Sequence, residues 1–178
     1  HLVSIPERRW YLSLIKPADF VLDVGAGTGA NTHLAAEICD RAVGIDRQQF
    51  EPKWPNVTSI AMDITKRPLP FEAGHFAVIL FFDVIEHLEE PDRRYVLKEI
   101  NRVLRADGLL IVSAPNRDTS WRRRLRKAGL FSFSDRDHRV EYIEDEFLQE
   151  LTSAGFRAVS PVMPIVFDTP WAGLIDLI

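Results

Sequence analysis

Phe20-Val21-Leu22-Asp23-Val24-Gly25-Ala26-Gly27-Thr28-Gly29 is the stretch that decides the fold. Phe20 to Val24 is an apolar, β-branched run that stops at a glycine cluster, the pattern of a buried strand. Asn31 to Ile38 follows with Leu34, Ala35 and Ile38 at helical spacing. Strand, glycine turn and helix therefore succeed one another within nineteen residues. Glycines permit positive φ and let a ligand approach the backbone with no Cβ in the way. The N–H groups of such a turn and of the helix start favour an anionic or strongly polar ligand end. A tight turn could use the same glycines for packing alone.

The same rhythm continues outward. Arg41–Asp46 reads as a second strand, Val57–Ile64 as a third and Phe76–Phe82 as a fourth. The fourth is the most apolar and is expected at the centre, because parallel strands covered on both faces read as unbroken hydrophobic runs. Pro91 to Arg105 has Pro91 in its first turn and Val96, Leu97, Ile100, Val103 and Leu104 on one face, so a helix is expected. Ala106-Asp107-Gly108 should end it, with a fifth strand over Leu109–Ser113. Glu144 to Ala154 reads as a helix carrying Phe147, Leu148 and Leu151 on one face, stopped by Gly155, and Phe156 to Val162 as a sixth strand. The expected fold is α/β: a Rossmann-like, doubly wound, mostly parallel sheet with helices on both faces. Such sheets bind ligands at the carboxyl ends of their strands. The positions of interest are Gly25–Gly29, Asp46, Asp63, Asp83–His87 and Ala114–Asn116.

Composition narrows the class. The chain has 178 residues, 46% hydrophobic and 27% charged, with a formal net charge of −4. One domain over residues 1–178 is expected at this length. A single cysteine, Cys39, excludes an internal disulfide framework and favours a reducing compartment. The longest apolar run, Phe76 to Phe82, has seven residues where a membrane helix needs about 20. With no leader-type segment either, a cytoplasmic location is expected.

Asp46 ends the second strand, where a carboxylate can accept hydrogen bonds from ribose hydroxyls. A nicotinamide dehydrogenase would place an acid there too. Its fingerprint, however, puts the third glycine at the sixth loop position, here Ala30, whereas this loop has it at the fifth, Gly29. Asp63, within Met62-Asp63-Ile64, adds a carboxylate and an apolar neighbour suited to an adenine edge and face.

These segments resemble the class I S-adenosylmethionine-dependent methyltransferases. The resemblance runs through Val21–Gly29, Gly44-Ile45-Asp46, Met62-Asp63-Ile64 with Leu69-Pro70-Phe71, Phe76–Leu88, Glu99–Pro115, Glu141-Tyr142 and Ala154-Gly155-Phe156. It covers about residues 18–160 in order. It implies that Asp23, Gly25, Ala26, Gly27 and Gly29 hold the methionine end of S-adenosylmethionine. Asp46 would bind the ribose diol, with Arg47 flanking the adenine, Asp63 accepting its amino group and Ile64 packing on the ring. Phe82 and Asp83 would lie beside the methionine part. The implied reaction is methyl transfer to an oxygen or nitrogen of a small-molecule acceptor, with S-adenosylhomocysteine as product. A non-catalytic cofactor-binding module is the alternative from another class.

Methyl transfer from a sulfonium needs alignment and exclusion of water. An oxygen or nitrogen acceptor can also need a base, and an imidazole is suited to that near neutrality. Glu86, His87 and the distant His138 are the candidate catalytic residues. Asp83, Glu86, His87 and His138 together resemble the metal site of small-RNA 2′-O-methyltransferases, with aspartate where those enzymes carry glutamate. The sequence disfavours both a divalent ion and a nucleic-acid acceptor, and His138 is expected as a substrate-site or structural residue.

Arg117 to Lys127 carries six positive residues and one negative, leaving −9 for the rest of the chain. It reads as a solvated helix face or as a contact for an anionic acceptor. After Val162 the prolines 164 and 170 precede an apolar segment with Trp171, Leu174, Ile175 and Leu177. The expectation is a domain without its seventh strand, C-terminally incomplete, with that apolar segment packing on the core or forming a homodimer contact.

Overall fold

The computed structural model describes residues 10–130 and 135–157. A short 3-10 helix, Trp10–Leu14, leads into β1 (Phe20–Val24), α1 (Ala30–Ala36), β2 (Arg41–Asp46), β3 (Val57–Ala61) and β4 (Phe76–Phe82). A second 3-10 turn, Ile85–His87, precedes α2 (Glu90–Val103), β5 (Leu104–Ser113), α3 (Ser120–Lys127) and α4 (Glu144–Ser153). The five strands form one parallel sheet in the order β3-β2-β1-β4-β5. This is the doubly wound α/β architecture expected from the alternation of runs. Strand order reverses between β1 and β4, so a crevice opens at their carboxyl ends.

Side-chain alternation along the strands builds two cores. Leu22 and Val24 of β1 join Ile79 and Phe81 of β4 on one face, under Val96, Leu97, Ile100 and Val103 of α2. Phe147 and Leu151 of α4 pack against that cluster. Val21, Val78 and Leu80 point to the other face, where Ala35 and Ala36 of α1 meet Tyr11 and Ile15. Each fully buried aliphatic side chain contributes roughly 1.5–3 kcal/mol by leaving water.

α1 ends at Ala36 rather than Ile38, and larger differences from the sequence reading fall at β3 and at the α2–β5 junction. β3 ends at Ala61, so Asp63 lies beyond the strand rather than in it. α2 ends at Val103, and Leu104 already pairs with Phe76 in the sheet. The next aligned pair is Val78 with Leu109, so Arg105 to Gly108 bulge out of the ladder. The expected sixth strand falls almost wholly, and the apolar segment 171–178 entirely, outside the described residues.

Candidate functional site

The glycine turn is shaped by close neighbours. Gly25, Gly27 and Gly29 have φ of 77°, 54° and 78°. A Cβ on Gly25 would lie 2.2 Å from Val84 Cγ2, and one on Gly29 would lie 2.4 Å from the Phe50 ring. Gly27 is different: a Cβ there would meet nothing within 4 Å, so the space beside its backbone is open. Its N–H donates to Asp46 Oδ2 at 2.9 Å, tying the turn to the end of β2. Asp23 lies behind the turn. It is buried, accepts a hydrogen bond from Thr32 Oγ1 at 2.6 Å, and burial pushes its carboxyl up to about 6.

A cavity of about 330 Å³ opens at the switch point. That lies at the lower end of the roughly 300–1,000 Å³ of small-molecule sites. Gly25, Asp46, Arg47, Ile64, Asp83 and His87 line it, together with Met62, Thr65, Val84 and Leu88. Six of the residues singled out in the sequence thus share one wall. Asp23, Ala26, Gly27, Gly29, Asp63, Phe82, Glu86 and His138 are not among the lining residues. Asp63 stands beside Thr65, whose N–H and Oγ1 donate to Asp63 Oδ1 at 3.0 and 2.8 Å. Those bonds hold its carboxyl below the ordinary range, helped by Arg47 at 4.0 Å from Oδ2.

Asp83 has φ of 53°, the one non-glycine residue in the left-handed region among the described residues. Ser113 Oγ donates to its Oδ1 at 2.7 Å, and its own N–H reaches Ser113 Oγ at 3.2 Å. This kink turns the chain from β4 into the Ile85–His87 turn. Arg139 N–H donates to the Glu86 carbonyl at 2.7 Å, docking the 137–140 segment onto that turn. The His87 and His138 rings meet edge to face, 4.8 Å between centroids.

Glu86, His87 and His138 bring a ligand-type atom each within 4.8 Å of one another. Asp83, the fourth residue of the expected set, is not part of the group. Glu86 is buried, its Oε2 has no hydrogen-bond partner, and desolvation pushes its carboxyl up to about 8. Behind His138 lies a pair that the sequence reading did not single out. His138 Nδ1 is 2.8 Å from Glu141 Oε1, and Arg122 Nη1 donates to Glu141 Oε2 at 2.6 Å and to the Asn116 carbonyl at 2.8 Å. For Glu141 the sequence offered two signals, an acid three positions after a candidate histidine and the Glu141-Tyr142 match of the family resemblance.

The basic stretch is largely paired within the protein. Arg117 meets Glu146 at 2.5 Å, Arg122 meets Glu141, and Arg123 and Arg126 share Asp118 at 2.9 and 3.6 Å. Arg124 and Lys127 are exposed.

Fold and cavity together define a cofactor-binding α/β domain of the Rossmann-like class. A family profile described as "Methyltransferase domain" matches residues 7–160. A "Probable S-adenosylmethionine-dependent methyltransferase" of Mycobacterium tuberculosis is 32% identical over 145 residues, 79% of this chain and 49% of that protein. The chain thus spans about half the length of that curated relative. A S-adenosylmethionine-dependent methyltransferase from Archaeoglobus fulgidus superposes with a TM-score of 0.68 at 18% identity, over 85% of this chain and 67% of that one. A Burkholderia thailandensis 1,6-didemethyltoxoflavin-N1-methyltransferase, solved with bound 1,6-didemethyltoxoflavin and S-adenosylhomocysteine, gives 0.65 at 23% identity, over 84% and 65%. The chain belongs to the methyltransferase-domain family, within the class I S-adenosylmethionine-dependent methyltransferases.

Proposed function

We propose that this domain binds S-adenosylmethionine in the switch-point cavity and directs its methyl group to an oxygen or nitrogen of a small-molecule acceptor. The observation that carries the reading is the meeting of Gly25, Asp46, Ile64 and His87 around one cavity. The open space beside Gly27 fits a ligand lying against the turn. When bound, the cofactor supplies an activated methyl group on a sulfonium, so alignment and dryness are the protein's tasks.

Asp46 keeps acceptor capacity for ribose hydroxyls beyond its bond from Gly27. Arg47 and Ile64 flank the adenine, and Asp63 accepts its amino group through Oδ2. The backbone from Gly25 to Gly29, backed by Asp23, and the chain at Phe82 and Asp83 hold the methionine end. His87, on the cavity wall, takes the acceptor's proton, with Glu86 and His138 beside it. The pairing of Arg117, Arg122, Arg123 and Arg126 with carboxylates supports a small acceptor over a polyanion.

A divalent cation is the second reading, favoured by Glu86, His87 and His138 converging around an unpartnered buried oxygen. A mixed carboxylate–imidazole set suits Mg, Mn or Zn, which would orient an acceptor hydroxyl.

Release of S-adenosylhomocysteine with a panel of small oxygen and nitrogen acceptors tests the proposal. Turnover is expected, and His87→Ala should lower it on the order of 10²-fold. Cofactor bound without turnover on any acceptor would favour the non-catalytic module. Turnover that survives dialysis against EDTA would remove an exchangeable ion from the account.

A further inference from the structure

We infer that Arg122 and Glu141 are positioning residues that fix the tautomer of His138. The inference rests on the proposed methyltransferase site and assigns it a support running from α3 to the cluster. Three elements meet there. Arg122 comes from α3, Glu141 from the chain just before α4, and His138 from the segment docked on the Ile85–His87 turn. The side chains of Arg122, Glu141 and His138 are 9%, 0% and 8% exposed.

The tautomer follows from the donor and acceptor inventory. A guanidinium can only donate. Glu141 meets it through Oε2 at 2.6 Å, and a carboxylate engaged in this way accepts at its other oxygen too. Oε1 lies 2.8 Å from His138 Nδ1, so the ring proton sits on Nδ1. In the neutral ring the lone pair is then on Nε2. A carboxylate behind an imidazole plays this part in general-base and metal sites alike. Burial gives the pair a reason to be there other than stability: a buried ion pair contributes little over well-packed apolar residues.

The asymmetry of Arg122 makes the inference testable. In Glu141→Gln the amide must turn its oxygen to Arg122, which leaves its NH₂ facing His138 Nδ1. That donor requires Nδ1 to accept, so the proton moves to Nε2. In the double variant Arg122→Met/Glu141→Gln the amide is released from this constraint and can present its oxygen to His138 again.

The experiment is ¹⁵N NMR of the histidine side chains in the cofactor-free chain, recorded at alkaline pH where the shifts no longer change and the neutral rings are observed. His138 is assigned by its loss in His138→Gln. Steady-state kinetics and calorimetric cofactor binding are measured on the same variants. The wild type should show the Nδ1–H tautomer. Glu141→Gln should show Nε2–H and lose on the order of 10²-fold in kcat while cofactor affinity stays within a few-fold. The double variant should recover Nδ1–H and about tenfold of the lost rate, a rescue that a merely structural pair would not give. A wild-type His138 protonated at Nε2, or an unchanged tautomer in Glu141→Gln, would overturn the inference. The NMR result stands whether or not the cofactor binds. Failure of cofactor binding by the folded wild type would count against the methyltransferase site instead.

Discussion

Asp23 shows how one buried carboxyl ties fold stability to pH. It is 2% exposed, and desolvation raises its pKa to about 6, a rise that the Thr32 hydrogen bond only partly offsets. The folded chain therefore holds this proton more tightly than the unfolded chain, whose value is 3.8. Its contribution is fully present below the unfolded value and is lost as pH rises through about 6. The loss amounts to roughly 3 kcal/mol, since one pKa unit is worth about 1.4 kcal/mol. Asp23→Asn removes the titration. Urea midpoints from pH 4 to pH 7 should fall in the wild type relative to the variant, and parallel curves would show that Asp23 titrates normally. Asp23, Asp46 and Asp63 were read from the sequence as carboxyls at or near strand ends, and of the three Asp46 lines the cavity. Their partners were not legible there. Thr32 on Asp23, Thr65 on Asp63 and Glu141 on His138 depend on how helices and loops settle, and no periodicity encodes that.

At the scale of elements, the turn from β1 into α1 separates glycines that serve packing from one that leaves room for a ligand. Gly25→Ala adds a Cβ at 2.2 Å from Val84 and keeps a φ of +77° that alanine resists. Gly27→Ala pays a cost of about 1 kcal/mol for the left-handed backbone and meets no atom. Thermal unfolding should show Gly25→Ala as the more destabilised of the two. Gly27→Ala should instead lose cofactor affinity by calorimetry, because its Cβ enters the open space. Equal stabilities with unaltered affinity would contradict this division. Strands β1, β2 and β4 were readable to the residue, since each is an apolar run ended by a charged or glycine residue. The junction of α2 and β5 was misread, because Leu104 continues the apolar face of the helix and also fits a strand. Pairing with Phe76 settles it, and the bulge Arg105–Gly108 carries the exposed Arg105–Asp107 ion pair away from the sheet. Gly108 sits tightly there, with Leu104 Cδ1 2.8 Å and the Ala77 carbonyl 3.0 Å from where a Cβ would be.

Over the whole molecule, a parallel sheet covered on both faces holds the ends of β1, β2 and β4 around one cavity, while the 137–142 segment docks on the Ile85–His87 turn and on the chain after β5, with α3 tied to it through Arg122. The glycine-turn half of this arrangement follows from strand order and was legible from the alternation of runs. The β5-side half, in which the basic stretch serves internal ion pairs more than an open surface, required the three-dimensional structure. Isothermal calorimetry tests directly whether the cavity takes S-adenosylmethionine with Asp46 on its ribose. The folded wild type should bind, and Asp46→Ala should weaken binding by about 1.5–3 kcal/mol, the worth of hydrogen bonds to a charged group. That is roughly a 10- to 150-fold rise in Kd. No heat from the folded chain, or an Asp46→Ala variant that binds as the wild type does, would contradict the account.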